Sequence, residues 1–260
     1  MKKMEQEIAR LNTLAALGEM AATVAHQVRN PLSGILGYGS LLKRDMEPDD
    51  PRQKLITKIT DGVEALNNTV TTLLNYTRNE ELNREQVNFD EFVSSTVTQF
   101  RRENVKLAEK TEITIEPASP PREEPLYLQI DPVLFRQVLY NLFTNSCEAC
   151  GGDVEIALAY RIMPRQSAAE QYGEKLLLDP EETVFELTVS DNGPGLPAEA
   201  VRQAFSPFFT TKAGGNGLGL AVALKILRAH GGDIRLDRDC PEGTRFNLLL
   251  PTRIVSAAVS

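Results

Sequence analysis

The chain has 260 residues, more than one typical domain needs and fewer than two large domains occupy. Its 36 acidic against 28 basic side chains give a net charge of −8, which argues against an extended nucleic-acid surface, since that would need a basic face. With 42% hydrophobic residues it can build a packed core, and no apolar run nears the roughly 20 residues of a membrane-spanning helix.

The opening MKKMEQEIAR is charged and has no apolar stretch behind it, so no signal peptide is visible. At about 100° per residue, Leu11, Leu14, Leu17, Ala21, Val24, Ala25, Val28, Leu32, Ile35 and Leu36 share one broad stripe of a helix. Leu55, Ile56, Ile59, Val63, Leu66, Val70, Leu73 and Leu74 form a second such run. Between them MEPDDP, with Pro48 and Pro51 flanking two aspartates, reads as a turn. The spacing predicts an all-α helical hairpin over residues 1–83. Its apolar face is too wide to bury alone, so two copies in a four-helix bundle, a homodimer, is the expected solution.

Near residue 83 the pattern changes to alternating strands and helices. Expected in order are a strand at Gln86–Phe89, a helix over about Asp90–Glu109, and a strand at Glu112–Glu116. A proline-rich loop then leads to a strand at Leu126–Ile130. Asp131-Pro132 opens a helix, with an acid as N-cap and proline at the first helical position, and the Gly151-Gly152 pair closes it. Strands at Val154–Ile162 and Thr183–Ser190 flank a polar loop. A helix near Ala198–Phe205, a glycine-rich stretch, a helix to His230, and strands at Asp233–Asp237 and Thr244–Leu250 follow. Residues 84–260 thus read as an α+β two-layer sandwich, a mostly antiparallel sheet with helices on one face.

His26 lies roughly 140° from the centre of the first helical stripe, so it points to solvent or a docked partner. Pro31, five residues on, has no N–H to donate and crowds the carbonyl of residue 27, which predicts a kink there. From residue types alone, His26 is either a surface histidine on a bent helix or an exposed reactive group.

A second site is spread over three segments. Asn141 and Asn145 stand one turn apart on one helix face, where an amide oxygen can serve a hard cation such as Mg²⁺; helix-surface asparagines are the plain alternative. DNGPG, Asp191 to Gly195, puts a carboxylate at a strand end, able to accept from an exocyclic amine of adenine beside glycines that admit a flat base. It equally reads as a tight turn. GGNGLGL, Gly214 to Leu220, precedes a helix whose N-terminal amides suit anionic phosphates. FSPFFTTK, with Phe208 and Lys212, is long enough to cover a nucleotide.

HQVRNPL, NLFTNSCEA, DNGPG, FSPFFTTK, GNGLGL and GTRF, in that order over almost the whole chain, resemble the sensor histidine kinases of two-component signalling. The chain is similar to their dimerisation and histidine-phosphotransfer hairpin followed by the GHKL-type ATP-binding domain, the Bergerat fold. The resemblance implies that His26 is the phosphoacceptor attacking the γ-phosphate of ATP, and that Asn145, supported by Asn141, holds Mg²⁺. It implies that Asp191 reads the adenine amine, that Gly193 and Gly195 shape the base pocket, and that Thr244 of GT-x-F lies close to it. Gly217, Leu218 and Gly219 would hold the triphosphate, with Phe208 and Lys212 at the lid. A response regulator receiver domain is the implied partner, with the chain continuing from, or served by, an upstream sensor. AHQVRNPLSGILGYGSLL looks most like the nitrogen-regulation and flagellar kinases.

The family usually has an acid directly after the histidine; here it is Gln27. A neutral amide hydrogen-bonds but cannot take a proton. Phosphoryl transfer rests mainly on positioning and charge neutralisation, so a working kinase with a differently tuned rate is expected. Asn30 matches the position that in many relatives orients water for dephosphorylating the partner. The competing reading is a nucleotide-binding dimeric scaffold that has lost autophosphorylation through Gln27. A gyrase- or MutL-type ATPase would carry a glutamate where Asn141 stands, and is rejected.

His230, before Gly231-Gly232, reads as a helix C-cap favoured by the dipole. Cys147 and Cys150 have redox-motif spacing but fall within a predicted helix, so they read as small buried residues. With Cys240 they make three thiols, too few for a disulfide scaffold, and a reducing, cytoplasmic setting is the simplest reading.

Overall fold

The computed structural model describes residues 27–47, 49–77, 81–116, 124–150, 153–173, 183–212, 215–237, 240 and 242–252. The chain divides into two compact units, residues 1–80 and 81–260.

In the first unit, helix α1 (residues 27–44) and helix α2 (Arg52–Thr77) form an antiparallel hairpin. The direction follows from its cross-contacts. Arg29 donates to Thr71 Oγ1 at 2.9 Å and Lys43 to Thr57 Oγ1 at 3.2 Å. A Cβ on Gly39 would stand 2.8 Å from Thr60 Cγ2, so glycine lets the helices close there. In the turn, the Asp50 carboxylate accepts from the Arg52 backbone N–H and guanidinium at the start of α2. Helix α1 continues unbroken through Pro31. Leu32, Ile56 and Val63 are buried, whereas Ile35 (42%), Leu55 (62%), Ile59 (55%) and Leu66 (56%) of the same stripes stay exposed. His26, and the stripe from Leu11 to Ala25, lie outside the described residues.

The second unit begins with strand β1 (Glu85–Asn88), which pairs antiparallel with β3 (Tyr127–Ile130). Between them come α3 (Phe89–Glu103), α4 (Val105–Ala108) and β2 (Thr111–Ile115). The single helix expected over 90–109 is therefore split. Asn104 leaves the helical region, at φ −119° and ψ 53°, while its N–H still closes the last turn onto Phe100 O.

Helix α5 (Pro132–Ala149) is capped as the sequence predicts, with Asp131 Oδ1 accepting from the Val133 and Leu134 amides. Strand β4 (Val154–Pro164), α6 (Arg165–Tyr172), β5 (Thr183–Asp191), α7 (Ala198–Val201), α8 (Gly219–Ala229), β6 (Asp233–Leu236) and β7 (Thr244–Thr252) follow. The main sheet has the order β2-β4-β5-β7-β6, parallel between β2 and β4 and antiparallel elsewhere. The helix expected to reach Phe205 ends early, because Gln203 N bonds Ala200 O and Ser206 N bonds Gln203 O, the three-residue spacing of tight turns.

One sheet face carries the core. Phe185 of β5 and Tyr160 of β4 meet Phe89 of α3, and Phe92 meets Phe135 of α5. Side chains alternate along a strand, so Val184 and Glu186 point to the opposite face. That face is not bare. Ala168 of α6 packs with Met163, Val184 and Leu249, and the buried Glu186 carboxylate accepts from Tyr172 and pairs with Arg161. The polar loop expected here thus contains a helix, and helices lie on both faces. Among the described residues no helix is long and apolar enough to cross a membrane.

Candidate functional site: a carboxylate, two asparagines and a glycine-started helix

Asp191 closes β5 and is buried. Its Oδ1 accepts from Gly193 N at 2.9 Å and Thr244 N at 3.1 Å, and its Oδ2 accepts from the Ser146 hydroxyl at 2.8 Å. Three donors from three segments fix the plane of the carboxylate. Thr244 sits opposite Asp191 in the β5–β7 register, so the GT-x-F segment reaches the carboxylate through ordinary strand pairing.

Two glycines make this closeness possible. Gly243 holds φ +72°, and a Cβ there would fall 1.6 Å from Asp191 O. Gly195, also at φ +72°, backs onto Gly243 O at 2.9 Å from an added Cβ. Both conformations are open to glycine and strained for other residues. Gly193 is bounded by Asp191 Oδ1 and by Cys150 Sγ. Asn192 turns the other way. Its N–H bonds Glu155 O and its side chain accepts from Glu155 N, which pins the loop to the start of β4.

The face of α5 that carries Asn141 and Asn145 meets the start of α8. Asn141 Nδ2 donates to Gly219 O at 3.0 Å, and a Cβ on Gly219 would lie 3.8 Å from both Asn141 Cγ and Asn145 Nδ2. Helix α8 starts on Leu218 without a side-chain cap. Leu218 itself is fully buried and donates its N–H to Asn216 Oδ1 at 3.0 Å, so it anchors the turn. Gly217, at φ +64°, packs straight onto the Phe208–Phe209 backbone; a Cβ would meet Phe208 C at 2.5 Å. Phe208 is itself at φ +65° and 59% exposed. Lys212 reaches back to α5, its Nζ donating to Asn145 O at 3.0 Å and Glu148 Oε2 at 2.9 Å.

A cavity of about 650 Å³ opens beside Gly193, Gly195 and Thr244, against Leu196, Arg202 and Cys240. That volume suits a small molecule. Asn145, Lys212 and Gly219 do not line it.

The geometry therefore joins α5, the end of β5, the start of β7 and the start of α8. Residues 130–254, which contain all of it, match HATPase_c, described as histidine kinase-, DNA gyrase B-, and HSP90-like ATPase, and residues 16–82 match HisKA, the His Kinase A (phospho-acceptor) domain. The chain belongs to the sensor histidine kinases. It is 31% identical over 250 residues to the sensor histidine kinase ZraS of Klebsiella oxytoca, covering 96% of this chain and 49% of that protein. It is also 31% identical over 257 residues to the sensory histidine kinase/phosphatase NtrB of Rhizobium leguminosarum bv. phaseoli, covering 96% and 62%. The solved structure of the histidine kinase ThkA in complex with the response regulator protein TrrA aligns over 96% of this chain and 66% of that one, at 28% identity and a TM-score of 0.63. The chain spans about half the length of the curated relatives it matches.

The second unit thus carries the ATP-binding HATPase_c domain. Of the residues singled out from sequence, Asp191, Gly193 and Thr244 come together, as do Asn141, Asn145 and Gly219, with Lys212 on Asn145 and Gly217 on Phe208. Gln27 and Asn30 are exposed on α1.

Ser146 and Gly243 are missing from the sequence reading. Ser146 could have been flagged by its place next to Asn145, and Gly243 by the GT-x-F motif that contains it. Two further expectations are corrected. Cys147 and Cys150 are half-buried, not buried, and Cys150 is the C-cap of α5 lying against Gly193; burial above all pushes both thiols up, keeping them protonated. His230 is the C-cap, but it is buried and neutral and not a cation on the helix dipole. Its Nε2 accepts from the Asp131 amide at 2.9 Å, which requires a lone pair there, and Nδ1–H donates to Ile226 O at 2.8 Å.

Proposed function

We propose that this chain is an ATP-dependent protein-histidine kinase that phosphorylates His26 and passes the phosphoryl group to an aspartate of a response regulator. The observation that carries the reading is the meeting of Asn141 and Asn145 with Gly219 beside a three-donor-oriented Asp191. Asp191 accepts from the exocyclic amine of adenine; Gly193, Gly195 and Thr244 shape the base pocket. The amides at Gly217 and Gly219 hold phosphate oxygens at the uncapped start of α8, where the helix dipole favours negative charge. Phe208 and Lys212 belong to the cover.

In the reaction a ring nitrogen of neutral His26 attacks the γ-phosphorus. The bond from that phosphorus to the β–γ bridging oxygen breaks, ADP leaves, and the histidine carries a phosphoramidate. The phosphoryl group then moves to the regulator's carboxylate and regenerates the histidine.

The residues present fit a Mg²⁺ that arrives with the nucleotide. A hard cation that keeps water and phosphate oxygens needs only one or two protein oxygens, and the Asn145 amide stands beside the phosphate-facing Gly219. Bound there, the ion neutralises charge on the triphosphate. Asn145 is the ligand, and Asn141, tied to Gly219 O, holds the two helices in place for it.

The domain boundary falls at residues 83/84, and the active form is a homodimer. The exposed Ile35, Leu55, Ile59 and Leu66 support that, since a hairpin with such a face gains from a second copy. An upstream sensor, within a longer chain or as a separate protein, supplies the signal, and the reaction takes place in the cytoplasm. Dephosphorylation of the regulator through Asn30 is a second activity of the same face. Gln27 favours one rival reading, a nucleotide-binding scaffold without autophosphorylation.

The test is incubation with Mg²⁺ and γ-labelled ATP, wild type against His26→Ala. Acid-labile, alkali-stable label that vanishes in the variant establishes the kinase. No label despite measurable nucleotide binding establishes the scaffold.

A further inference from the structure

The buried His230 has no part in the chemistry above, yet both of its ring nitrogens are committed to backbone groups of two different helices. Helices α5 and α8 run antiparallel, as two contacts show. Asn141 bonds Gly219 O at the start of α8, and His230 at its end receives the Asp131 amide that precedes α5. Ten or eleven residues separate the two contacts along each helix, about 15 Å at the helical rise. One contact lies at the nucleotide-site residues. The other lies at the far end, and there the chain arriving from the first unit is attached.

Two bonds make that attachment. The Asn83 amide donates to Asp131 Oδ2 at 3.0 Å. Asp131 Oδ1 meanwhile caps α5 through the Val133 and Leu134 amides. The guanidinium of Arg84, an exposed residue, donates to Ala229 O at 3.2 Å, one residue before His230. A single aspartate thus joins the incoming chain, the start of α5 and, through its own amide, the end of α8. Phe135 packs edge-on against the His230 ring, with centroids 6.2 Å apart, and leaves the imidazole little room to turn.

We propose that Asp131 and His230 form a clasp through which the entering segment, Asn83 and Arg84, sets the register of α5 against α8 and thereby the spacing of Asn141 and Asn145 from Gly219. The inference rests on the nucleotide-site reading. Asp131, His230 and Arg84 are positioning residues. A pull on the chain at Asn83 loosens the site, and by reciprocity a bound nucleotide tightens the clasp.

The test uses the full chain and ADP as probe, with calorimetry for binding and amide hydrogen exchange at Asn83 for the clasp. In the wild type, saturating ADP slows Asn83 exchange about fivefold or more, the lower range of coupling between sites. Asp131→Asn separates the two duties of the aspartate. Asparagine caps a helix as well as aspartate does, but its NH2 faces the Asn83 N–H, donor against donor. In that variant, and in Arg84→Ala, the slowing drops to under about twofold and ADP binding weakens by the factor lost. Arg84→Ala replaces an exposed residue and keeps the fold, so its result stands alone if Asp131→Asn is unstable. Binding heat with unchanged Asn83 exchange overturns the clasp, as does wild-type ADP affinity in both variants. No binding heat in the wild type overturns the nucleotide reading, and the clasp with it.

Discussion

Ser146 and Asp191, 45 positions apart in the chain, meet at 2.8 Å with the hydroxyl donating to Oδ2. Both are buried. With Oδ1 already taken by two amides, this bond leaves one acceptor site on Oδ2, held in the fixed plane of the carboxylate. A carboxylate fixed in this way presents a single hydrogen-bonding edge, which is what selection of an amino-substituted purine requires. Ser146→Ala removes one hydrogen bond to a charged group, about 1.5 kcal/mol, so ADP binding should weaken roughly tenfold. Calorimetry with ADP and GDP side by side checks it. Equal ADP affinity in variant and wild type would show that Ser146 does not orient the carboxylate.

Among the described glycines an added Cβ comes closest at Gly243, 1.6 Å from Asp191 O on a backbone at φ +72°. Neither strand end can yield without losing the Thr244 amide bond to Asp191. Gly243→Ala should therefore cost more than about 2 kcal/mol of stability and weaken nucleotide binding together with it. Gly34, exposed on α1 with nothing within 4 Å of an added Cβ, is the control. Gly34→Ala should stabilise by up to about 1 kcal/mol, because alanine is the better helix former. Thermal unfolding of both variants separates the two cases.

What was readable from sequence was local. Asp131-Pro132 announces the start of α5 because capping needs only the next three residues, and Asn141 and Asn145 share a face because helix geometry says so. The α6 helix was not readable. RQSAAEQY has little apolar periodicity, and what holds it is tertiary: Ala168 on Val184 and Leu249, and Tyr172 on Glu186. The break at Asn104 sits in a stretch without proline or glycine. The Ser146–Asp191 and Asp131–His230 bonds join residues 45 and 99 positions apart, and no spacing rule reaches that far. His230 shows the limit best. Its position as a C-cap was legible, but its charge state was not, since that depends on the Asp131 amide.

Gln27 stands exposed on α1, immediately after the proposed phosphoacceptor. An acid at that place can draw the proton from the attacking imidazole, and a positioned general base contributes on the order of a hundredfold or more. Because the site is exposed, Gln27→Glu should change stability by less than about 0.5 kcal/mol while raising the initial rate of His26 labelling about tenfold or more. Labelling at the wild-type rate would show that proton removal does not limit this kinase, and that positioning alone sets its speed.

The neutral state of His230 gives the fold a pH dependence with a definite sign. Burial is the first cause holding its pKa below the ordinary 6.5, and the nearby Arg84 guanidinium adds to it; the Ile226 carbonyl and the Asp131 carboxylate pull the other way. The unfolded chain takes up this proton near pH 6.5, the folded chain only at lower pH. Between the two values the unfolded state binds more protons, so stability rises with pH across that window. The contribution is whole above about 6.5 and is lost as the pH falls toward the folded value. A protonated imidazole would also turn Nε2 from acceptor to donor against the Asp131 amide, opening that bond. Denaturant midpoints measured at pH 5 and pH 7.5 should therefore differ more in the wild type than in His230→Gln, whose amide does not titrate. The same difference in both proteins would assign the pH dependence to other groups.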